Sequence, residues 1–153
     1  MGKLKVGDSA PDFKGTLQDG REVTLSDYSD KKLILYFYPK DSTPGCTAQA
    51  CSLRDGREEL KNLGFEVLGV SPDSIKRHLN FIEKQNLNFD LVADEDHSIA
   101  EKYGVWALKK MMGKEYMGIV RTTFIIEDGK ITNIFDKVKT KVHFEQILES
   151  LQL

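Results

Sequence analysis

Two cysteines, Cys46 and Cys51, stand close together in a chain of 153 residues, behind the run Tyr38-Pro39-Lys40-Asp41-Ser42-Thr43-Pro44-Gly45. The reactive form of a cysteine is the thiolate, and an ordinary thiol, with a pKa of about 8.5, is only a few per cent ionised at neutral pH. The run follows an apolar strand pattern and opens a helical one, which places Cys46 on the first turn of a helix. There it faces unpaired backbone N–H groups and the positive end of the helix dipole, both of which favour thiolate over thiol. Pro39 and Pro44 restrict the loop, Gly45 lets a small ligand approach closely, and Thr43 offers a hydroxyl toward the same pocket. The competing reading of Cys46 is a small buried hydrophobe. On a regular helix the spacing from Cys46 to Cys51 separates the Cα atoms by roughly 8 to 9 Å and puts the side chains on different faces. A disulfide needs about 4.4 to 6.8 Å. The two can bond only if the first turns of the helix unwind, which makes this segment a candidate conformational switch. A plain core role is the alternative for Cys51.

Positioning such a segment requires a rigid frame, and the periodicities describe one. Residues 13–17 and 21–25 flank Asp19-Gly20, a hairpin-turn dipeptide. Residues 33–38, LILYFY, form a continuous apolar run that Pro39 ends, the pattern of a strand buried on both faces. A helix over residues 46–63, a buried strand over 65–70 and a helix from about 75 to 85 follow, with Ser71-Pro72-Asp73 available to cap the second helix. Residues 89–93 read as a short strand and 96–103 as a short helix stopped by Gly104. Residues 122–126 and 131–135 surround Asp128-Gly129, a second hairpin signal, and 142–151 read as a closing helix. Strand–helix alternation followed by a hairpin predicts an α/β domain with a mixed central sheet flanked by helices and an N-terminal β-hairpin, an order that suits a thioredoxin-like fold. No repeat or linker interrupts it, so one domain is expected over residues 1–153.

Composition narrows the class. Apolar residues make up 40% and charged residues 30%, an ordinary globular balance. The formal net charge of -2 gives no case for nucleic acid, and no apolar run approaches a signal peptide or a membrane span. A cytoplasmic protein is expected, and in a reducing compartment two nearby thiols are reactive or metal-binding rather than structural. His78, His97 and His143 show no ligand spacing with the thiols or with one another, and Asp94-Glu95-Asp96 reads as an acidic turn capping a helix. The Cys-x-x-Cys spacing of a dithiol oxidoreductase is absent. The stretch from Trp106 to Gly118, with Met111, Met112 and Met117, is a possible pocket segment whose methionines read as core or loop packing.

The residues quoted above closely resemble the peroxiredoxin family, in its Q-type or bacterioferritin-comigratory-protein branch. The family's active-site pattern of Pro, three residues, Thr, two residues and Cys is met by Pro39, Thr43 and Cys46, and Cys51 stands where this branch keeps a second cysteine. Residues 6–13, residues 94–97, Gly104-Val105-Trp106 and Arg121-Thr122-Thr123-Phe124 are also similar, so the resemblance covers nearly the whole chain. It implies a thioredoxin fold and a thiol peroxidase that reduces hydrogen peroxide and organic hydroperoxides. By that resemblance Cys46 is the peroxidatic cysteine, oxidised to a sulfenic acid, and Cys51 resolves it as an intramolecular disulfide. Thr43 holds the cysteine sulfur and peroxide by hydrogen bonding, Pro39 shields the site, and Arg121 stabilises the thiolate and polarises the peroxide. Gln49 occupies a position where other branches carry Glu. The implied recycling partner is thioredoxin or a similar dithiol, the expected state is a monomer, and neither a metal nor an organic cofactor is required.

Overall fold

The computed structural model describes residues 3–151. Strands β3 (Lys32–Phe37), β4 (Phe65–Ser71), β5 (Asp90–Ala93), β8 (Thr122–Glu127) and β9 (Lys130–Phe135) form a central five-stranded sheet in the order β5-β4-β3-β8-β9. β3, β4 and β5 run parallel, while β8 pairs antiparallel with β3, and β9 with β8. Helix α1 (Pro44–Asn62) connects β3 to β4, α2 (Ile75–Gln85) connects β4 to β5, and α3 (Ser98–Lys102) follows β5. α4 (His143–Ser150) closes the fold behind a 3-10 turn, Thr140–Val142. The expected N-terminal hairpin is present as β1 (Lys14–Thr16) and β2 (Glu22–Thr24), pinned to the edge strand by a bridge from Leu17 to Val92.

The apolar run at the centre of the sequence explains the layering. In β3 and the residue after it, Leu33, Leu35 and Phe37 pack into one buried cluster, with Val70, Phe124 and Tyr103. Their alternate neighbours Ile34, Tyr36 and Tyr38 pack into the other, with Cys46, Leu53 and Phe81. A strand whose successive side chains point to opposite faces must be apolar throughout when both faces are covered. The same geometry brings the end of β3 and the start of β8 together, since Phe37 pairs with Thr122. Arg121, one residue before β8, therefore emerges beside the loop that leaves β3.

Three local outcomes depart from the sequence-based expectation. Helix α2 is capped by Ser74, whose hydroxyl accepts from the Arg77 backbone N–H, and not by Ser71 or Asp73. Asp73 is instead drawn inward, where it accepts from the Asp41 backbone and the Ser71 hydroxyl. The segment after α3 is a two-stranded ribbon, β6 (Trp106–Met111) with β7 (Lys114–Ile119), which pairs only with itself among the described residues. Its methionines are not core: Met111, Met112 and Met117 are 60%, 96% and 48% exposed, because a ribbon standing off the sheet has no second layer to cover it. The turn is Met112-Gly113, both in the left-handed region, a conformation for which Met carries no signal. At Asp128-Gly129 the same backbone conformation falls on the dipeptide that favours it. The acidic turn does cap a helix: Asp94 accepts from the backbone N–H groups of Ile99 and Ala100.

Candidate active site

Cys46 is the third residue of α1 and is buried against Ala50, Tyr36 and Tyr38 in the helix-side cluster. Proline at the first helical position begins the helix with a fixed φ and no wasted donor. Thr43 is the N-cap residue, but its hydroxyl does not cap the helix. It turns back and donates to the Lys40 carbonyl at 2.8 Å, so its remaining capacity is as an acceptor. The first-turn N–H groups are thus left without a side-chain cap from Thr43.

Arg121, from just before the start of β8, reaches this sulfur. Its Nη2 donates to Cys46 Sγ at 3.3 Å and its Nη1 donates to Gln49 Oε1 at 2.7 Å. Gln49 lies one turn beyond Cys46 on the same face of α1, and it is fully buried. A guanidinium only donates, so the Gln49 oxygen must face it, and the amide nitrogen is left without a protein partner among the described residues. A Cβ at Gly45 would stand 3.3 Å from Arg121 Nη2, so the absence of a side chain there gives the guanidinium its place. Pro39 is half-buried, between the buried Tyr38 and the loop. The structure thus brings Cys46, Arg121 and Gln49 into contact and leaves the Thr43 hydroxyl engaged within the loop.

Cys51 has a different neighbourhood. It is a free thiol on the same helix, half-buried, and it donates to Gln85 Oε1 of α2 at 3.6 Å. Arg54 Nη1 donates to the Gln85 carbonyl at 2.6 Å, tying α1 to the end of α2.

A second polar group lies behind the loop, and spacing gave no sign of it. Asp41, Asp73 and His78 are buried with their ligand-type atoms within 4.8 Å of one another, although 32 and 37 residues separate Asp41 from its two partners. Their hydrogen bonds run to one another and to Tyr38, Ser71, the Arg77 guanidinium and the Val92 carbonyl. Tyr36 stacks on Tyr38 with ring centroids 5.3 Å apart, and burial, followed by the Asp41 charge, pushes the Tyr36 phenol well above its ordinary pKa. On the β8 side, His143 accepts from Thr123 and donates to Gln146, each at 2.9 Å. Burial lowers the pKa of His143, in keeping with a neutral ring.

The arrangement can hold negative charge on a buried sulfur, and at an oxygen brought next to it, with a guanidinium and helix N–H groups in water-poor surroundings. Known proteins resemble the chain that carries it. The AhpC/TSA family model matches residues 6–134. The chain is 49% identical over 153 residues to peroxiredoxin Bcp of Escherichia coli strain K12, covering 99% of this chain and 98% of that one. A cysteine-to-serine mutant of Xylella fastidiosa PrxQ superposes with a TM-score of 0.92 at 33% identity, covering 99% of this chain and 98% of that one. Xanthomonas campestris bacterioferritin comigratory protein, in a trapped intermediate/ligand complex, gives a TM-score of 0.85 at 37% identity, covering 92% of this chain and 90% of that one. The chain therefore belongs to the AhpC/TSA family and, within it, to the peroxiredoxins of the Bcp and peroxiredoxin Q branch: it is a thiol peroxidase.

Proposed function

We propose that Cys46 is the peroxidatic and Cys51 the resolving cysteine of a hydroperoxide reductase that one copy of the chain completes. The observation that carries this reading is the Arg121 guanidinium 3.3 Å from a cysteine sulfur on the first turn of a helix. The Cys46 thiolate attacks the terminal oxygen of the hydroperoxide. An S–O bond forms, the O–O bond breaks, and the leaving oxygen takes a proton and departs as water or alcohol. Cys46 is oxidised to sulfenic acid. Arg121 places a donor where charge develops on the oxygens, and Gln49 fixes that donor's direction. The Thr43 oxygen, its own hydrogen committed to Lys40, accepts from the peroxide O–H, and Pro39 covers the loop without adding a competing N–H.

Resolution joins Cys51 sulfur to Cys46 sulfur. An S–S bond forms, the S–O bond breaks, and hydroxide leaves with the Cys51 proton as water. Helical geometry holds the two residues roughly 8 to 9 Å apart, so the start of α1 unwinds and the Cys51–Gln85 contact breaks. A dithiol of thioredoxin type then exchanges with the disulfide and is itself oxidised, a step that a reducing compartment such as the cytoplasm sustains. Alkyl hydroperoxides belong with hydrogen peroxide in the substrate class, since alkyl peroxide reduction activity is described for the Xanthomonas campestris relative.

Peroxide consumption with thioredoxin as reductant tests this reading, using hydrogen peroxide and cumene hydroperoxide in turn. Wild type turns over both. Cys46→Ser consumes neither, and its first step falls about a thousandfold or more, as loss of a nucleophile does elsewhere. Cys51→Ser reduces one equivalent at the wild-type rate and then stalls. Equal loss of the first step in both variants contradicts the assigned roles.

A further inference from the structure

Asp41 lies inside the segment that leads to Cys46, between Pro39 and Thr43, yet its carboxylate is buried. One oxygen accepts from the Tyr38 hydroxyl at 2.5 Å, the other stands 2.6 Å from Nδ1 of His78, and the backbone N–H donates to Asp73 at 2.7 Å. His78 is fully buried on α2, with its Nε2 2.9 Å from the Val92 carbonyl. A carbonyl only accepts, so Nε2 carries a hydrogen. The Nδ1 contact then requires a second proton, because a ring lone pair and a carboxylate oxygen would otherwise face each other at 2.6 Å. Asp41 and His78 share that proton and form a pair of zero net charge, the state in which two such groups can be buried together.

Farther along, α2 meets the other end of the cysteine segment. Gln85 accepts from the Cys51 thiol through its side chain and from Arg54 through its carbonyl. One helix therefore grips the chain at Asp41, ahead of Cys46, and at Arg54, beyond Cys51.

We propose that α2 brackets the redox switch, and that Asp41 and His78 are the positioning pair that sets how readily the Cys46 turn opens. The inference rests on the proposed resolution of Cys46 by Cys51 through local unwinding. The sulfenic acid on Cys46 has two fates. In the closed form, a second hydroperoxide transfers an oxygen to it, giving sulfinic acid and water or alcohol. In the open form, Cys51 reaches it, giving disulfide and water. The bracket favours the closed form, in which Cys46 sits beside Arg121, and so it divides the flux between these products.

Sulfinic acid formed per turnover, read by intact mass over graded hydrogen peroxide with a dithiol recycling the enzyme, measures that division. Asp41→Ala and His78→Leu each lower it about tenfold, the equivalent of about 1.4 kcal/mol moved between the two forms. Asp41→Asn restores the yield to near wild type, since its amide N–H can donate to Nδ1 while its oxygen accepts from Tyr38. Unchanged sulfinic yield in Asp41→Ala and His78→Leu, with only a lower melting temperature, overturns the inference. So does a yield in Asp41→Asn as low as in Asp41→Ala. A wild-type protein that forms no Cys46–Cys51 disulfide brings down the underlying resolution step instead, and free-thiol counting separates that result from the others.

Discussion

The two cysteines share a helix and lie about one and a half turns apart, yet they meet different physics. Cys46 is sealed in the core at the helix start, with a guanidinium against its sulfur. Cys51 is half-buried in the helix interior, beyond the first-turn N–H groups, and touches a neutral amide at 3.6 Å. The first environment aims donors at the sulfur and at any oxygen brought beside it. The second offers only an amide oxygen, and its thiol comes within reach of its partner only after the backbone between them has moved. In the proposed cycle, placing two identical side chains in unlike surroundings is how one short segment supplies both a nucleophile and a resolving group.

Removing the polar neighbour of each sulfur is the sharpest way to break this comparison. Arg121→Met should slow the first peroxide-reduction step by about 10² to 10³, the usual loss when one donor to developing charge is deleted. Gln85→Ala, which removes only a weak contact from Cys51, should change that step by less than about twofold. Stopped-flow fluorescence or competition kinetics on the two variants reads the contrast directly. Comparable losses would mean that the two environments are not functionally distinct.

The comparison also divides α1 itself, between the opening turns and the half beyond Cys51, which other elements clamp. Gly56 marks the clamped half, since a Cβ there would run into the Phe144 ring on α4. Gly56→Ala forces that ring and α4 to shift and should destabilise the protein by about 1 to 3 kcal/mol, measured by urea unfolding. The start of α1 is the part that must remain free to open in the proposed cycle.

The smallest effect concerns His143, which packs on the β8 strand that delivers Arg121 and which burial keeps neutral. Its folded pKa lies below the ordinary 6.5, so between those two values the unfolded chain binds more protons than the folded one. Its contribution to stability is therefore complete above about pH 6.5 and is lost as the pH falls toward the folded value. The difference in unfolding free energy between wild type and His143→Asn should shrink as the pH is lowered through that window, and a difference that stays constant would contradict a buried neutral ring.

Much of this was legible in the residues. The run of residues 33–38 announces a strand covered on both faces, and Pro39 with Thr43 and Cys46 announces the loop and helix start that follow it. Arg121 was reachable only through resemblance, because an arginine at the mouth of a strand gives no periodic sign of which sulfur it will face. The β6–β7 ribbon escaped because its turn is Met112-Gly113 and its exposed apolar residues mimic a core pattern. Asp41 and His78 escaped for a different reason: loop Asp and helix His are ordinary singly, and only the crossover of α2 onto the loop makes them partners.

The most direct test of the central claim is intact mass and free-thiol count after one equivalent of hydrogen peroxide is added to the reduced protein. The account predicts loss of two hydrogens and of both thiols within seconds, in a species that remains a single chain, with peptide mapping placing the bond between Cys46 and Cys51. Thiols that persist for many minutes, or a gain of oxygen on Cys46 with Cys51 still free, would contradict it.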